Sequence, residues 1–232
     1  MRTTQMSSFG GHAALPGGKA DYEGESAIAV ARRETHEEIG ISADDGELAR
    51  QGYRMEHLTT LPAYLSRNLL AVRPSVVYLS GVGHDPITDL PQVLEKTYLP
   101  SMEVSEVFSA PFADFLSNRP GWYTGKYVNW GGLKWNQHWF KTIRKKKEVG
   151  ETGWYNVWGL TANILIDAAR IAYQREPMME HRKPGLIGDE ELIQGLMDHH
   201  ILGRERVRGE SIHVDFKKVF GKRSPLLQSR QG

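Results

Sequence analysis

The chain of 232 residues contains no cysteine. Disulfide bonds, thiolate metal sites and catalytic thiols are therefore excluded. A run of 18 or more apolar residues is also absent, so the sequence predicts no transmembrane helix, and the first residues carry no apolar stretch of the signal-peptide type. The final Arg-Gln-Gly is not a peroxisomal address of the S-K-L type. We expect an intracellular protein with no membrane partner. Its expected compartment is the cytoplasm unless a resemblance to known proteins indicates another one.

A strong charge of either sign is lacking as well. The 29 basic and 28 acidic residues leave a net charge of +1, which argues against a bulk attraction to nucleic acid. The basic run at residues 144–147 is short and is interpreted as a solvated loop. Hydrophobic residues make up 40% of the chain and charged residues 25%, as is typical of a globular protein. The length fits one large domain, or one domain with an extension.

Residues 26–41 carry the clearest structural signal, that of a capped helix. Ser26 is a plausible N-cap, and Gly40 stands where a glycine ends many helices. At about 100° per residue, three glutamates share one face of this helix: Glu34, Glu37 and Glu38.

Three carboxylates on one helix face permit two interpretations. Like charges at this spacing repel each other, and a divalent cation such as Mg²⁺, which prefers oxygen ligands, reverses that effect. The alternative is a solvated acidic face, partly matched by Arg32 and Arg33. The spacing alone does not decide between them.

The surrounding residues favour a metal site. Residues 33–41, R-E-T-H-E-E-I-G-I, resemble the core R-E-x-x-E-E-x-G-x of the Nudix box. Seven residues separate Glu25 from Arg33, as in that box, and Gly18 opens the loop before it. The loop between Gly18 and Glu25 has six residues instead of the usual five, which leaves its conformation open.

The Nudix resemblance implies an α/β fold, an α/β/α sandwich with a mixed sheet. One or two strands normally precede the glycine loop, and residues 1–14 leave hardly any room for them. We therefore expect the N-terminal strand or strands to be missing, or to be replaced by another segment. The expected Nudix hydrolase domain is residues 1–175, and residues 176–232 are expected to form a C-terminal extension that is partly helical and has a disordered tail.

The segment before the box narrows the resemblance. Arg2, Gly11, Pro16, Gly17 and Gly18 fall in register with a motif of the Nudix subgroup that hydrolyses coenzyme A. The chain departs from that motif at two positions, where Ser7 replaces an arginine and Leu15 replaces a phenylalanine. Further stretches at residues 64–67, 129–135 and 158–161 are similar to fungal peroxisomal coenzyme A diphosphatases.

This resemblance implies a function and a set of site residues. The function is hydrolysis of the diphosphate bond of coenzyme A or its thioesters, giving 3′,5′-ADP and 4′-phosphopantetheine, with a peroxisomal location. The implied metal ligands for Mg²⁺ or Mn²⁺ are Glu34, Glu37 and Glu38. The implied catalytic residues are Arg33, Glu37, Glu38 and Glu103, and the implied substrate-binding residues are Arg2, Gly17, Gly18 and Lys19. The partner is a small nucleotide, and the protein is expected to be a monomer or homodimer.

Other interpretations stay open. The substrate could instead be ADP-ribose or NADH, which Ser7 favours, or the chain could be a nucleotide-binding Nudix module without turnover. Glu103 could be an ordinary glutamate at a strand edge. The aromatic residues at 119–140 could stack an adenine beside Lys126 and Lys134, or could form the core of a β-hairpin that turns at Gly131.

The remaining secondary structure is predicted from local patterns. We expect a loop at residues 42–57, strands at 58–65, 69–72 and 76–79, and a loop at 81–100. Helices are expected to begin near residue 114 and to cover residues 157–174 and 189–200. His199 and His200 are not expected to chelate a metal together, because adjacent helical side chains point about 100° apart.

Overall fold

The computed structural model describes residues 12–83, 104–145, 152–182, 186–202 and 213–221. The helices are α1 (Ala27–Ile39), α2 (Asp45–Arg50), α3 (Gly159–Tyr173), α4 (Asp189–Asp198) and α5 (Phe216–Phe220), with a 3₁₀ turn at Phe112–Leu116. The strands are β1 (Tyr53–Thr60), β2 (Tyr64–Leu65), β3 (Ala71–Val72), β4 (Ser75–Gly81), β5 (Tyr123–Trp130), β6 (Leu133–Lys145) and β7 (Thr152–Trp158). The expected α/β class is confirmed. Among the described helices, none is long and apolar enough to cross a bilayer.

The described strands form three small sheets. β1 pairs with β4 and β2 with β3, both antiparallel, and the register of β1 shifts between His57 and Thr59. β5, β6 and β7 form the third sheet in that order, and the β5–β6 pair is antiparallel. The predicted hairpin turn is confirmed: Gly131 and Gly132 join these two strands with φ angles of 58° and 76°. A two-residue turn with positive φ at both positions matches the natural twist of a hairpin.

The chain divides into two compact units, each built from separate segments. The first unit comprises Met1–Leu61, Pro74–Asp114 and Lys141–Val157, and the second comprises Pro62–Arg73, Phe115–Phe140 and Trp158–Gly232. The boundary therefore passes through β6. The division at residue 175 expected from the sequence stays a prediction.

A small apolar cluster in the first unit supports α1 and α2. It centres on Leu48, which is 1% exposed, and Ile41. The side chains of Ile39, Tyr53, Met55, Leu79 and Val107 pack around these two. The C-terminal end of α1 is thereby anchored next to β1 and β4.

The second unit has a larger core. Its most deeply buried members come from α4 and α5: Leu192, Leu196 and Phe216. Two members of the aromatic segment, Trp122 and Phe140, are 7% and 0% exposed and pack against Phe115. For these two aromatic residues the core interpretation is confirmed, and they are not available to stack on a base.

Within the described residues, two of the predicted elements differ from the structure. The expected strand at residues 58–65 is divided between the end of β1 and β2. Residues 42–57, expected to be a loop, contain α2 and the first half of β1. Asp44 caps α2 by accepting a hydrogen bond from the backbone of Glu47 at 2.7 Å. Asp at the cap with Glu three residues later is a helix-start pattern, and the polar composition of the segment concealed it. The expected loop at 81–100 lies almost wholly outside the described residues.

Candidate active site

The helix α1 begins and ends where its sequence predicts. The Ser26 hydroxyl accepts a hydrogen bond from the backbone N–H of Ala29 at 3.2 Å. At the other end Gly40 has φ 76°, and its N–H donates to the carbonyl of His36 at 2.9 Å. Both ends satisfy backbone groups that a helix leaves unpaired. The glutamates of the last two turns are thus held on a helix with fixed bounds.

Arg33 is the centre of the hydrogen-bond network on α1. Its Nε donates to Glu25 Oε1 at 3.1 Å, and a terminal nitrogen reaches Glu25 Oε2 at 3.3 Å. The side chain of Glu25 is only 4% exposed. A two-point pairing of guanidinium and carboxylate fixes the orientation of both groups. Glu25 and Arg33, which seven residues separate in the sequence, are therefore paired in the structure.

The same guanidinium holds the loop that precedes α1. It donates to the carbonyl of Lys19 at 2.9 Å, and its Nε lies 3.2 Å from Asp21 Oδ2. The backbone N–H of Asp21 in turn donates to Glu25 at 2.8 Å. Arg33 therefore fixes both ends of the loop that carries one residue more than the general pattern. The part played by Asp21 was missed in the sequence, although its position in the lengthened loop was visible.

Arg33 also contacts two of the three predicted metal ligands. One terminal nitrogen lies 3.1 Å from Glu34 Oε1 and 3.4 Å from Glu37 Oε2. Since both carboxylates approach one nitrogen, they are close neighbours. Glu37 is exposed, and Glu34 and Glu38 are partly buried.

Gly18 lies directly against Glu34. A Cβ built on this glycine would come within 2.0 Å of Glu34 Oε1 and 2.4 Å of its carboxyl carbon. Any larger residue at position 18 would therefore displace the carboxylate. The sequence placed Gly18 and Glu34 in one site, and the structure shows the contact that requires glycine there. Gly17 has open space at the equivalent position.

The pairing shifts the pKa values of both partners. Hydrogen bonds to Glu25, first from Arg33 and then from the backbone of Asp21, hold the pKa of Glu25 below its ordinary value. The hydrogen bond to Glu25 is likewise the main reason that the pKa of Arg33 is raised. Glu25 therefore stays charged to a lower pH than an unpaired glutamate does, and Arg33 stays charged beside it.

The donor chemistry of the α1 face fits a hard divalent cation. Carboxylate oxygens are the ligands that Mg²⁺ and Mn²⁺ prefer, and two of them already converge on the positive charge of Arg33. In the part of the chain that is described, no three Asp, Glu or His side chains stand close enough to hold a metal ion together. The binding of a metal by Glu34, Glu37 and Glu38 therefore stays a prediction.

Two predicted site residues, Arg2 and Glu103, lie outside the described residues. Three residues beyond Glu103, the side chain of Glu106 accepts a short hydrogen bond from the Tyr155 hydroxyl. The Tyr155 ring stacks on Phe108 at 4.1 Å between centroids. Glu106 and Phe108, two positions apart in the sequence, therefore both contact Tyr155, a buried residue of β7. Lys19 takes part in the site through its backbone carbonyl, and its side chain is exposed.

Comparison with known proteins gives one family. The model of the NUDIX domain family matches residues 2–119. The chain is 32% identical to peroxisomal coenzyme A diphosphatase 1 of Saccharomyces cerevisiae, over 85% of this chain and 69% of the yeast protein. It is 33% identical to the chloroplastic Nudix hydrolase 22 of Arabidopsis thaliana, over 80% of this chain. A mitochondrial coenzyme A diphosphatase of Homo sapiens is 32% identical over 66% of this chain. The chain spans about half the length of the plant and human proteins, 52% of each.

Proposed function

This chain belongs to the Nudix hydrolase family, and from that premise we propose that it hydrolyses the diphosphate bond of coenzyme A or its thioesters in a reaction that depends on Mg²⁺ or Mn²⁺. The products would be 3′,5′-ADP and 4′-phosphopantetheine or its acyl derivative. Two of the relatives are named coenzyme A diphosphatases. Their names support the proposed substrate for this chain.

The observation that carries the proposal is the network around Arg33. One guanidinium pairs with a buried glutamate and reaches two further carboxylates of the same helix. A solvated acidic face would not need Glu25 to be 4% exposed or Gly18 to leave room for Glu34. Burying a carboxylate and fixing its orientation costs free energy. Such a cost is expected where a site must hold its carboxylates in one place.

The carboxylates of α1 have proposed roles that follow from their chemistry. Glu34, Glu37 and Glu38 would hold the divalent cation, which when bound neutralises diphosphate charge and lowers the pKa of water. Arg33 acts as a positioning residue, since it orients Glu25, Glu34 and Glu37. The proton of the attacking water would pass to a carboxylate, for which Glu37, Glu38 and Glu103 are the candidates.

The loop before α1 is the proposed contact for the substrate. Gly17 and Gly18 have no side chains and allow phosphate oxygens to approach the backbone. Lys19 is exposed and carries a positive charge for the diphosphate. Arg2 is proposed to bind substrate from the resemblance of its segment alone.

The second candidate function is hydrolysis of ADP-ribose or NADH. It is favoured by Ser7, which stands where the coenzyme A subgroup has an arginine. The experiment compares initial rates on coenzyme A, acetyl-coenzyme A, ADP-ribose and NADH, each with Mg²⁺ and with Mn²⁺. We expect the two coenzyme A compounds to be hydrolysed fastest. If ADP-ribose or NADH is turned over and coenzyme A is not, the proposed substrate is wrong and the second candidate replaces it.

The cellular location and the oligomeric state are also proposals. The names of the relatives place them in peroxisomes, chloroplasts and mitochondria. Because the yeast relative is named as peroxisomal, we propose a peroxisomal location for this protein. We also propose that it is a monomer or a homodimer and acts on a small nucleotide. Fluorescence microscopy of the tagged protein and light scattering of the purified protein test these two statements.

A further inference from the structure

Four polar side chains of the second unit form a chain of hydrogen bonds, and the proposed function uses none of them. It runs from the Tyr123 hydroxyl to His138 Nδ1 at 3.0 Å, from His138 Nε2 to His181 Nδ1 at 3.2 Å, and from His181 Nε2 to Asp167 Oδ1 at 3.1 Å. His138 is 0% exposed and Asp167 is 7% exposed. Three separate parts of the second unit are joined in this way: the β5–β6 hairpin, the helix α3 and the segment that follows α3.

The aspartate end of the chain is ionised. Asp167 Oδ2 accepts hydrogen bonds from the Tyr64 hydroxyl and from Arg182, each at 3.0 Å. Burial alone would raise the pKa of Asp167, but His181 and Arg182 outweigh it and lower that pKa. Arg182 is itself fixed by Asp189 at 2.8 Å. An ionised carboxylate can only accept hydrogen bonds, so it requires the proton of His181 to be on Nε2.

When His181 is neutral, that requirement fixes every other proton in the hydrogen-bond chain. If Nε2 of neutral His181 carries its proton, Nδ1 is an acceptor, and His138 must donate to it from Nε2. His138 Nδ1 is then an acceptor, and the Tyr123 hydroxyl donates to it. All donors point towards Asp167, and each link contains one proton. A further proton must break a link or reverse the direction of the chain.

The other charged groups around the imidazole pair come from several elements. On the same helix as Asp167, Arg170 lies 3.8 Å from that carboxylate. Next to His181, Glu180 accepts a hydrogen bond from Tyr127 of β5 at 2.9 Å. The charged and titratable groups that face the pair are Tyr64, Tyr123, Asp167, Arg170, Glu180, Arg182 and Asp189.

We propose that this chain of hydrogen bonds makes the second unit acid-sensitive: the Tyr123–His138–His181–Asp167 links stabilise the unit while His138 is neutral, and the unit loses stability below neutral pH, where unfolding lets His138 take up a proton. The proposal is independent of the diphosphatase function. It assigns a role to three polar side chains that are buried, His138, His181 and Asp167, and burying such groups costs free energy unless they are hydrogen-bonded.

The sign of the effect follows from proton linkage. Burial is the main cause that lowers the pKa of His138 to about 4, whereas an unfolded histidine has a pKa of about 6.5. Between these values the unfolded chain binds a proton that the folded chain does not. Stability therefore falls as the pH decreases from about 6.5 to 4, with one proton taken up on unfolding for His138.

The test measures stability against pH in the full chain. Urea unfolding at several pH values between 4.5 and 7 gives the number of protons taken up on unfolding for the wild type, for His138→Gln and for His57→Gln. Glutamine can donate and accept hydrogen bonds, and His57 is an exposed histidine of β1 that serves as the matched control. We expect His138→Gln to take up about one proton fewer than the wild type, and His57→Gln to take up nearly the same number as the wild type. An equal uptake in wild type and His138→Gln would overturn the proposal.

A second measurement does not depend on the variant being folded. Nitrogen-15 spectra of histidine-labelled wild type report the tautomer and the protonation of each ring. We expect His138 to be neutral with its proton on Nε2 at pH 7 and to stay neutral at pH 5.5, and we expect Nε2 of His181 to carry a proton that it donates to Asp167. A His138 that carries its proton on Nδ1 at pH 7, or that is charged at pH 5.5, would contradict the proposed chain.

Discussion

Replacing Gly18 by alanine tests the placement of Glu34 without a large change to the fold. The new Cβ would lie 2.0 Å from Glu34 Oε1, and real Cβ atoms essentially never approach closer than 3.0 Å. The carboxylate oxygen must therefore move by at least 1.0 Å, the difference between these two distances. The displaced atoms are the end of a flexible side chain. Gly18 also has no left-handed φ, so alanine fits its backbone.

The expected result is a loss of activity at nearly constant stability. A misplacement of about 1 Å in a catalytic group costs on the order of 100-fold in rate, which corresponds to about 2.7 kcal/mol in the activation free energy. We expect kcat/KM of Gly18→Ala to fall by about that factor. Glycine to alanine at a compatible site changes stability by only about 1 kcal/mol or less, so Tm should move by only a few degrees.

The assay measures kcat/KM on the best substrate of the panel, together with Tm by circular dichroism. Gly188→Ala is the matched control, because Gly188 has φ −74° and open space around its built Cβ. It should keep wild-type activity. A Gly18→Ala enzyme within threefold of the wild type would refute the claim that Glu34 must stand where it does. A collapse of Tm in Gly18→Ala would show that the contact serves the fold instead.

Three further predictions concern charge, hydrogen bonding and metal. Between pH 5 and pH 3, Glu25→Gln should lose less stability than the wild type, because the lowered pKa of Glu25 gives the wild type stability that is lost when Glu25 is protonated. If the urea midpoint falls equally in both proteins over this pH range, the prediction is contradicted. Tyr155→Phe keeps the ring that stacks on Phe108 but removes the hydroxyl that donates to Glu106. We expect it to lower the free energy of unfolding, measured by urea titration, by about 1–3 kcal/mol. An unchanged urea midpoint would show that this hydrogen bond does not contribute to stability. Chelation by EDTA should abolish turnover and added Mg²⁺ or Mn²⁺ should restore it, whereas full activity in EDTA would exclude the proposed role of the α1 glutamates.

The parts of the fold that the sequence predicted are those with local causes. Ser26 and Gly40 define α1 through contacts within four residues along the chain, and Gly131 turns the hairpin through its own φ angle. The helix α2 has an equally local signal in Asp44, which the polar surroundings concealed. Such features depend on neighbours in sequence, so a reader of the sequence can find them.

The buried chain in the second unit could not be predicted in this way. The hydrogen bond between Tyr64 and Asp167 joins residues 103 positions apart, and that between His138 and His181 joins residues 43 positions apart. No periodicity or motif connects such residues before the chain is folded. The candidate site falls between the two cases. The family motif brought Gly18, Glu25 and Arg33 together, whereas the contact of Arg33 with the Lys19 carbonyl became visible only in the structure.

The central claim is that the glutamates of α1 act on a diphosphate bond of coenzyme A. Its most direct test is mass spectrometry of the products formed from coenzyme A and Mg²⁺ by the wild type and by Glu38→Gln. We predict that 4′-phosphopantetheine and 3′,5′-ADP appear with the wild type, and that the variant, with an unchanged circular dichroism spectrum, forms them at least about 100-fold more slowly. Equal rates for the two proteins would contradict the assignment of the site, and the absence of both products with the wild type would contradict the proposed substrate.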